Sequence, residues 1–557
     1  MLRPYAAARV IRDFWTSSAR SGERLWTAAP EVIAARGPLA RVWRWLDRPV
    51  DALPLDLFRI LIGLLTLSYF VRTLAESTLY SNPSGLIDHD LSIAVFPFTR
   101  MGLFQLGMPP AVFRSVFILA CLASLTLIVG YRARLSAAVL YAIAVSTYRW
   151  NFLVMFIDDG IMHLMLFWLL LLPIARTLVL TEWSSHRMQA WKRWKSMTVP
   201  GTAVRCFLWN AMLIYAVAGL WKWTSPMWRN GTALYAVLQL PIARASHFWG
   251  PQYMPILKTL NYAALLLETI FPVIFLLPKG SRAKYALLIA LIGFHCCMIA
   301  TLQIPVANVA CIAATVVLFG PELMSWIRRQ QVAALPGWPT YPDNRAIWQP
   351  RSAAAGNLVT TQTGNSATGS VAIVFIILLT LAMLSSVALP EWRTPVRLKT
   401  AAASSEEAFE GLRPLQKVFF TPLWIAGLCQ QYQLFNWIDE RNYVVRYDVF
   451  DGTRRIDPAS VFPRTTRGAL LQAYVHGISW MQIPAWARKQ LRQSIYLRSA
   501  RRYCHESEGP ADVTVYSTLR RGDAVHPDRA IEQSRSFLVQ FRCRAGEPLM
   551  QAMNLSP

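Results

Sequence analysis

The chain has 557 residues, 54% hydrophobic and only 16% charged, with a mean hydropathy of +0.32. Repeated apolar runs of about 20 residues exclude an ordinary soluble globule and place the chain in a bilayer. The formal net charge of +25 would suggest nucleic acid in a soluble protein. Here many basic residues lie between or beside the apolar runs, so the expected partner is the lipid bilayer, with its anionic cytoplasmic leaflet, and not nucleic acid.

Residues 1–54 are Arg-rich and interrupted, without the apolar core or small-residue cleavage site of a signal peptide, so the first span serves as the signal. Apolar segments follow at roughly 55–75, 110–130, 133–150, 160–180, 203–223, 258–278, 283–301, 303–320 and 370–389. The expectation is a mainly α, polytopic membrane helix bundle of about eight or nine spans. The pair meeting at Thr301 to Pro305 reads either as two spans or as a re-entrant hairpin.

The connections YRAR at 131–134, HRMQAWKRWK at 186–195, PKGSRAK at 278–284 and WIRRQQ at 326–331 are basic. They alternate with less basic ones such as Glu76 to Asp90. A basic-inside arrangement predicts a cytoplasmic N-terminus and residues 390–557 outside. FPFTRMGLFQLG at 96–107 reads equally as a surface-lying amphipathic helix or a buried loop. Residues 326–369, whose part from 335 onward is rich in Pro, Gly, Ser and Thr, read as a cytoplasmic linker. The domain plan is thus a basic segment over 1–54, a membrane domain over 55–325, the linker, a last span over 370–389 and a tail over 390–557.

In that tail NYVVRYDVF at 442–450 alternates as a strand does, and Asp451-Gly452 is a hairpin signal. ALLQAYVHGISW and AWARKQLRQSIYLRSARRYC have helical spacing, and ADVTVYSTL and SFLVQFRC return to strand character. A small extracytoplasmic α+β domain follows, in which Cys504 and Cys543 are expected to form a disulfide. Cys429 stays unpaired, and the remaining cysteines lie in apolar spans as packing residues. No metal-ligand spacing, GxSxG, Walker or GxGxxG motif occurs, so no metal site is expected.

Ionisable residues inside spans are costly and usually face a cavity or a partner. Asp56 and Arg59 begin the first span; Arg149, Asp158, Asp159, His163, Glu268 and His295 follow, and Lys222 sits between Trp221 and Trp223 at the membrane boundary. Lys222 either extends its ammonium to the headgroups or is held partly desolvated as a base. The others either form structural pairs, such as Arg149 with Asp158 or Asp159, or line one outward-facing cavity.

LDLFRILIGLL at 55–65, IVGYRARLSAAVL at 128–140, FWLLLLP at 167–173, YAVAGLWKW with WRNGTAL at 215–234, LLETIFP at 266–272 and GFHCCMIATL at 293–302 occur in an order that resembles the HTTM (horizontally transferred transmembrane domain) family. Its members are membrane proteins similar to vitamin K-dependent gamma-carboxylase, and the resemblance covers roughly residues 50–325. GLCQQYQLF at 427–435 resembles the tails of bacterial members. The resemblance implies a lipid-soluble reduced quinone of the menaquinol, ubiquinol or vitamin K hydroquinone type. Gly219-Leu220-Trp221-Lys222 matches the motif carrying the base lysine and Phe294-His295 a later functional pair. The implied catalytic residues are Lys222 and His295, with Trp221, Trp223, His163 and Glu268 around the cofactor. An exported peptide or protein is the implied substrate. The chain departs from the carboxylase in carrying Asp158-Asp159-Gly160 where an asparagine-histidine pair is expected, and it lacks a recognisable propeptide-binding domain. Other readings are a non-catalytic maturation or export factor and, less favoured without an inverted repeat, a transporter.

Overall fold

The computed structural model describes residues 38–77, 89–95, 102–104, 108–150, 157–180, 197–240, 242–245, 248–333, 366–388, 414–428, 441–462, 485–507, 509–523 and 532–555. The helix expected over 469–480, Cys429 and most of the linker lie outside these residues, as does the side chain of Asp158.

The elements in chain order are α1 (Pro38–Asp47), β1 (Val50–Asp51), α2 (Leu53–Ala75), α3 (His89–Val95), α4 (Pro110–Val129), α5 (Ala133–Trp150), α6 (Ile157–Leu171), β2 (Thr198–Val199), α7 (Thr202–Thr224), α8 (Pro226–Asn230) and α9 (Ala233–Leu238). Then come α10 (Met254–Ile270), α11 (Arg282–Thr301), α12 (Pro305–Leu318), α13 (Gly320–Ala333), α14 (Ser366–Ala388) and α15 (Pro414–Ile425). The tail holds β3 (Arg441–Asp451), β4 (Arg454–Ile456), α16 (Ala485–Glu506), β5 (Asp512–Asp523), β6 (Glu532–Arg544) and β7 (Glu547–Met553). Proline opens α2, α4, α8 and α12 within the first turn, where its missing N–H costs nothing. Gly130 ends α4 at φ +81°, and a Cβ there would stand 3.4 Å from the guanidinium carbon of Arg59.

Among the described residues five helices are long and apolar enough to cross a membrane, and six if the pair α12 and α13, bent by 60°, counts as one span. The nine expected spans are therefore not all met by length and apolarity. At 15 and 14 residues, α6 and α12 extend only about 20 Å, and α5 carries Arg134 and Arg149 in its end turns.

One end of the bundle is fastened by a buried clasp. The Asp56 carboxylate accepts from the backbone N–H groups of Ala175 (2.5 Å), Arg176 (2.9 Å) and Thr177 (2.7 Å) and from the Thr177 hydroxyl (2.7 Å). Arg59 binds the same carboxylate at 3.1 Å and donates to the carbonyls of Leu127, Ile128 (2.7 Å) and Leu178 (2.6 Å). Both side chains are fully buried. Charge thereby closes the ends of α2 and α4 against the loop after α6. At this same end β1 pairs antiparallel with β2, Arg328 of α13 binds Asp51 at 2.6 Å, and Lys284 binds Glu322 at 2.6 Å.

At the opposite end, α8 and α9 fold over α10 around Met227, Trp228, Tyr235 and Leu238. The turn between α11 and α12 is pinned there by Arg244 N–H to the Thr301 carbonyl and Gln303 N–H to the Ile242 carbonyl, both 2.8 Å. α15 belongs to the bundle and not to the tail domain. Leu423 and Leu428 join the main membrane core, because the helix PLQKVFFTPLWI is too apolar to remain in water.

The tail folds as a five-stranded antiparallel sheet in the order β4-β3-β5-β6-β7. Its core, including Val449, Val513, Val515, Val539 and Phe541, meets Leu491, Ile495 and Tyr496 of α16. Cys504 at the end of α16 is disulfide-bonded to Cys543 on β6. Leu91 of α3 joins this core, so the segment between α2 and α4 meets the tail domain.

Candidate functional site

α7 is the helix on which the polar interior of the bundle converges. It packs on α14 and α10 and touches α12. Close approach to α10 depends on Gly219, where a Cβ would come within 3.1 Å of Thr269 N and 3.2 Å of the Glu268 carbonyl carbon. One turn later Lys222 meets Glu268 in a direct ion pair. Lys222 is 2% and Glu268 4% exposed, so the lysine does not extend to the headgroups. The ammonium also lies 5.1 Å from the centre of the Trp228 ring, a cation–π contact supplied by the turn after α7.

The two flanking tryptophans separate. Trp221 is buried, whereas Trp223 is 42% exposed and donates to the Thr269 hydroxyl at 2.9 Å. Residues two apart on a helix point about 200° away from each other, so both cannot wall one pocket around Lys222. Trp223 is a surface anchor between α7 and α10.

Two turns before Lys222, on the same face and about 10 Å along the axis, stands Tyr215. Its hydroxyl bonds His295 Nε2 at 2.7 Å, and His295 Nδ1 bonds Asn308 Oδ1 at 2.7 Å. The Asn308 amide donates to the Ile304 carbonyl at 2.6 Å, which assigns Oδ1 as the acceptor toward the ring. His295 is then neutral with its proton on Nδ1, and Nε2 accepts from Tyr215. All three are buried. Lys222, Glu268, Tyr215, His295 and Asn308 thus bring α7, α10, α11 and α12 together through proton-bearing groups. Tyr215, Asn308 and Trp228 were not singled out by sequence; the available signals were a tyrosine seven residues before the lysine and a lone asparagine in an apolar helix.

The other expected residues form a second centre. Arg149 donates to the Ile425 carbonyl at 2.8 Å, and the Tyr141 hydroxyl donates to that of Ala426. These bonds satisfy carbonyls at the end of α15. Gly427 follows at φ +75°, and a Cβ there would come within 2.9 Å of Val145. His163 is fully buried, edge-on to Tyr148 at 5.1 Å, and faces the carbonyls of Ala144 and Gly427 without hydrogen-bond geometry. Asp159 accepts from the Tyr69 hydroxyl at 2.6 Å. The single cavity expected from sequence is therefore two centres: Lys222, Glu268 and His295 on α7, α10 and α11, and Arg149, Asp159 and His163 where α5 and α6 hold α15. Different helix faces carry these residues into different contacts.

Among the described residues no group of three or more His, Cys, Asp or Glu could hold a metal ion. Compared with known proteins, the chain matches no protein-family model, no curated protein and no solved structure.

Proposed function

We propose that this chain is an integral membrane enzyme similar to vitamin K-dependent gamma-carboxylase, one that uses a reduced quinone to modify an exported peptide or protein. The observation that carries this reading is the incomplete bonding of the Lys222–Glu268 pair. Among the described residues Lys222 uses one of its three N–H donors in a hydrogen bond, and Glu268 accepts through Oε2 alone. A buried ion pair is stable only when its remaining donors and acceptors are met, so those positions suit a ligand bearing acidic hydroxyl groups. Trp228 supplies aromatic surface beside them, which fits a flat hydroquinone.

A reduced quinone bound here would supply reducing equivalents and acidic O–H protons. The chain's part is proton management. Transfer of the Lys222 proton to Glu268 leaves an amine and a carboxylic acid, and the amine can then take a proton from a hydroxyl held beside it. The net proton remains on Glu268. Neutral His295, fixed by Asn308, holds the Tyr215 hydroxyl two turns away on the same face of α7.

In this reading the helices alternate across the bacterial inner membrane, with the Asp56 end cytoplasmic and the sheet domain outside. Three features support that arrangement: the basic connections, the contact of α3 with the tail domain and the Cys504–Cys543 disulfide, which suits an oxidising compartment.

The test is a titration of the purified protein in lipid nanodiscs with a reduced menaquinone analogue, read by tryptophan fluorescence. Saturable quenching is expected, weakened at least tenfold in Lys222→Ala. Absence of binding by the intact protein, or equal binding by both forms, would overturn the proposal.

A further inference from the structure

We propose that the open face of the tail domain's sheet binds a small aromatic carboxylate, through Arg535 and the aromatic slot formed by Phe450, Tyr516 and Phe537. The proposal is independent of the membrane site.

The sheet has two unlike faces. Val449, Val513, Val515 and Val539 point into the core under α16, so their neighbours Asp448, Phe450, Asp512, Thr514 and Tyr516 lie on the other face. Such a face is ordinarily polar. Here three aromatic rings cross it on adjacent strands, because Tyr516 pairs with Phe537 across a register shift between Val515 and Tyr516, while Phe450 lies opposite Thr514. Ring centres are 6.2 Å apart between Phe450 and Tyr516 and 6.0 Å between Tyr516 and Phe537, with interplanar angles of 79° and 73°. The two phenylalanines therefore stand nearly perpendicular to the tyrosine and make walls rather than a flat platform.

Arg535 lies 4.5 Å from the Tyr516 ring centre. These residues, with Thr514 and Gly452, line a cleft of about 440 Å³, within the size range of small-molecule sites. Gly452 leaves its rim open, since a Cβ there would meet nothing within 4 Å.

Charge identifies the ligand. Over residues 441–557 there are 18 Arg and Lys against 10 Asp and Glu. Two other arginines on this face are matched, Arg455 to Asp448 at 2.5 Å and Arg542 to Asp512 at 2.6 Å, and Arg535 is the arginine that lines the cleft. Arg535 has no carboxylate partner among the described residues. A guanidinium lying over a ring still has N–H groups for bidentate binding of a carboxylate. One unmatched fork beside aromatic walls calls for one carboxylate on a flat apolar body.

The test uses the full-length protein in nanodiscs and titrates phenylacetate and its neutral analogue phenylacetamide, followed by ligand-observed NMR. Phenylacetate is expected to saturate and to bind roughly tenfold or more tightly than the amide, the loss expected for a charge-assisted bond. Arg535→Gln should remove that preference and Arg535→Lys should restore only part of it. Arg542→Gln, which removes a cation already matched, should leave the affinity unchanged. Unchanged melting temperature of the variants separates loss of binding from loss of fold. Equal binding of acid and amide, a phenylacetate affinity indifferent to Arg535→Gln, or no saturation by the intact protein would overturn the proposal.

Discussion

Two buried ion pairs in the same bundle are built differently. Asp56 and Arg59 divide their hydrogen bonds among six backbone groups from distant segments and a hydroxyl, in addition to each other. Lys222 and Glu268 have each other, a tryptophan face and unused bonding capacity. The first pair has the form of a fastening. The second has the form of a site, because a buried charge with unfilled positions persists only when something else repays its desolvation.

The largest effect expected from breaking this comparison is at the clasp. Asp56→Ala strands a fully buried guanidinium and should cost about 3–5 kcal/mol, read as a lower unfolding midpoint in mild detergent. Lys222→Met should also destabilise, by leaving Glu268 alone. The double variant Lys222→Met/Glu268→Leu should recover most of that loss while abolishing quinol binding, a coupling that a double-mutant cycle measures. Recovery is not expected for Asp56→Leu/Arg59→Leu, because the clasp also supplies partners to backbone groups.

The spacing between α7 and α10 sharpens the same point. Gly219→Val places atoms within reach of Thr269 N and the Glu268 carbonyl carbon and should cost about 1–3 kcal/mol by overpacking. Thermal unfolding and quinol affinity should fall together, since the substitution moves Glu268 away from Lys222.

The tail domain provides a pH contrast. Burial pushes the Tyr496 phenol up to about 12 against the opposing effect of Arg492, and burial with the neighbouring Tyr496 holds Tyr447 well above the ordinary tyrosine range. The neutral phenol is the folded form, so this stabilisation is complete below about pH 10. It is lost as pH rises through the folded values. Tyrosinate absorbance should therefore include a late component that coincides with unfolding, and Tyr496→Phe should reduce that component. The smallest effect belongs to Asp512, whose partly buried carboxyl is held below the usual range chiefly by the hydrogen bond from Arg542. Its contribution is present above about pH 4 and fades as pH falls; Arg542→Gln should remove that slight acid dependence from the unfolding midpoint.

Local signals were legible in the sequence where chemistry is local. Asp451-Gly452 closes the β3–β4 hairpin, with Gly452 at φ +57°, and the apolar runs mark α2, α4, α7, α10 and α11. Contacts made by folding were not. The partners of Asp56 lie about 120 residues away and are mostly backbone N–H groups, which have no sequence signature. Helical geometry could have separated Trp221 from Trp223, since neither ring can follow the other around the turn. It could not have chosen which one faces inward. β7 carries little strand signal because EPLMQAM contains a proline and lies at the sheet edge, and α15 adjoins the tail in sequence although its apolar side belongs to the bundle. The polar residues were recognised as a set, but their division into two centres depends on helix faces.

The most direct measurement is infrared difference spectroscopy of the protein in nanodiscs before and after addition of a reduced menaquinone analogue. A protonated-carboxyl band is expected to appear on binding, to be absent in Glu268→Gln and to fail to form in Lys222→Ala. A bound quinol with no such band, or the same band in both variants, would contradict transfer of the proton from Lys222 to Glu268.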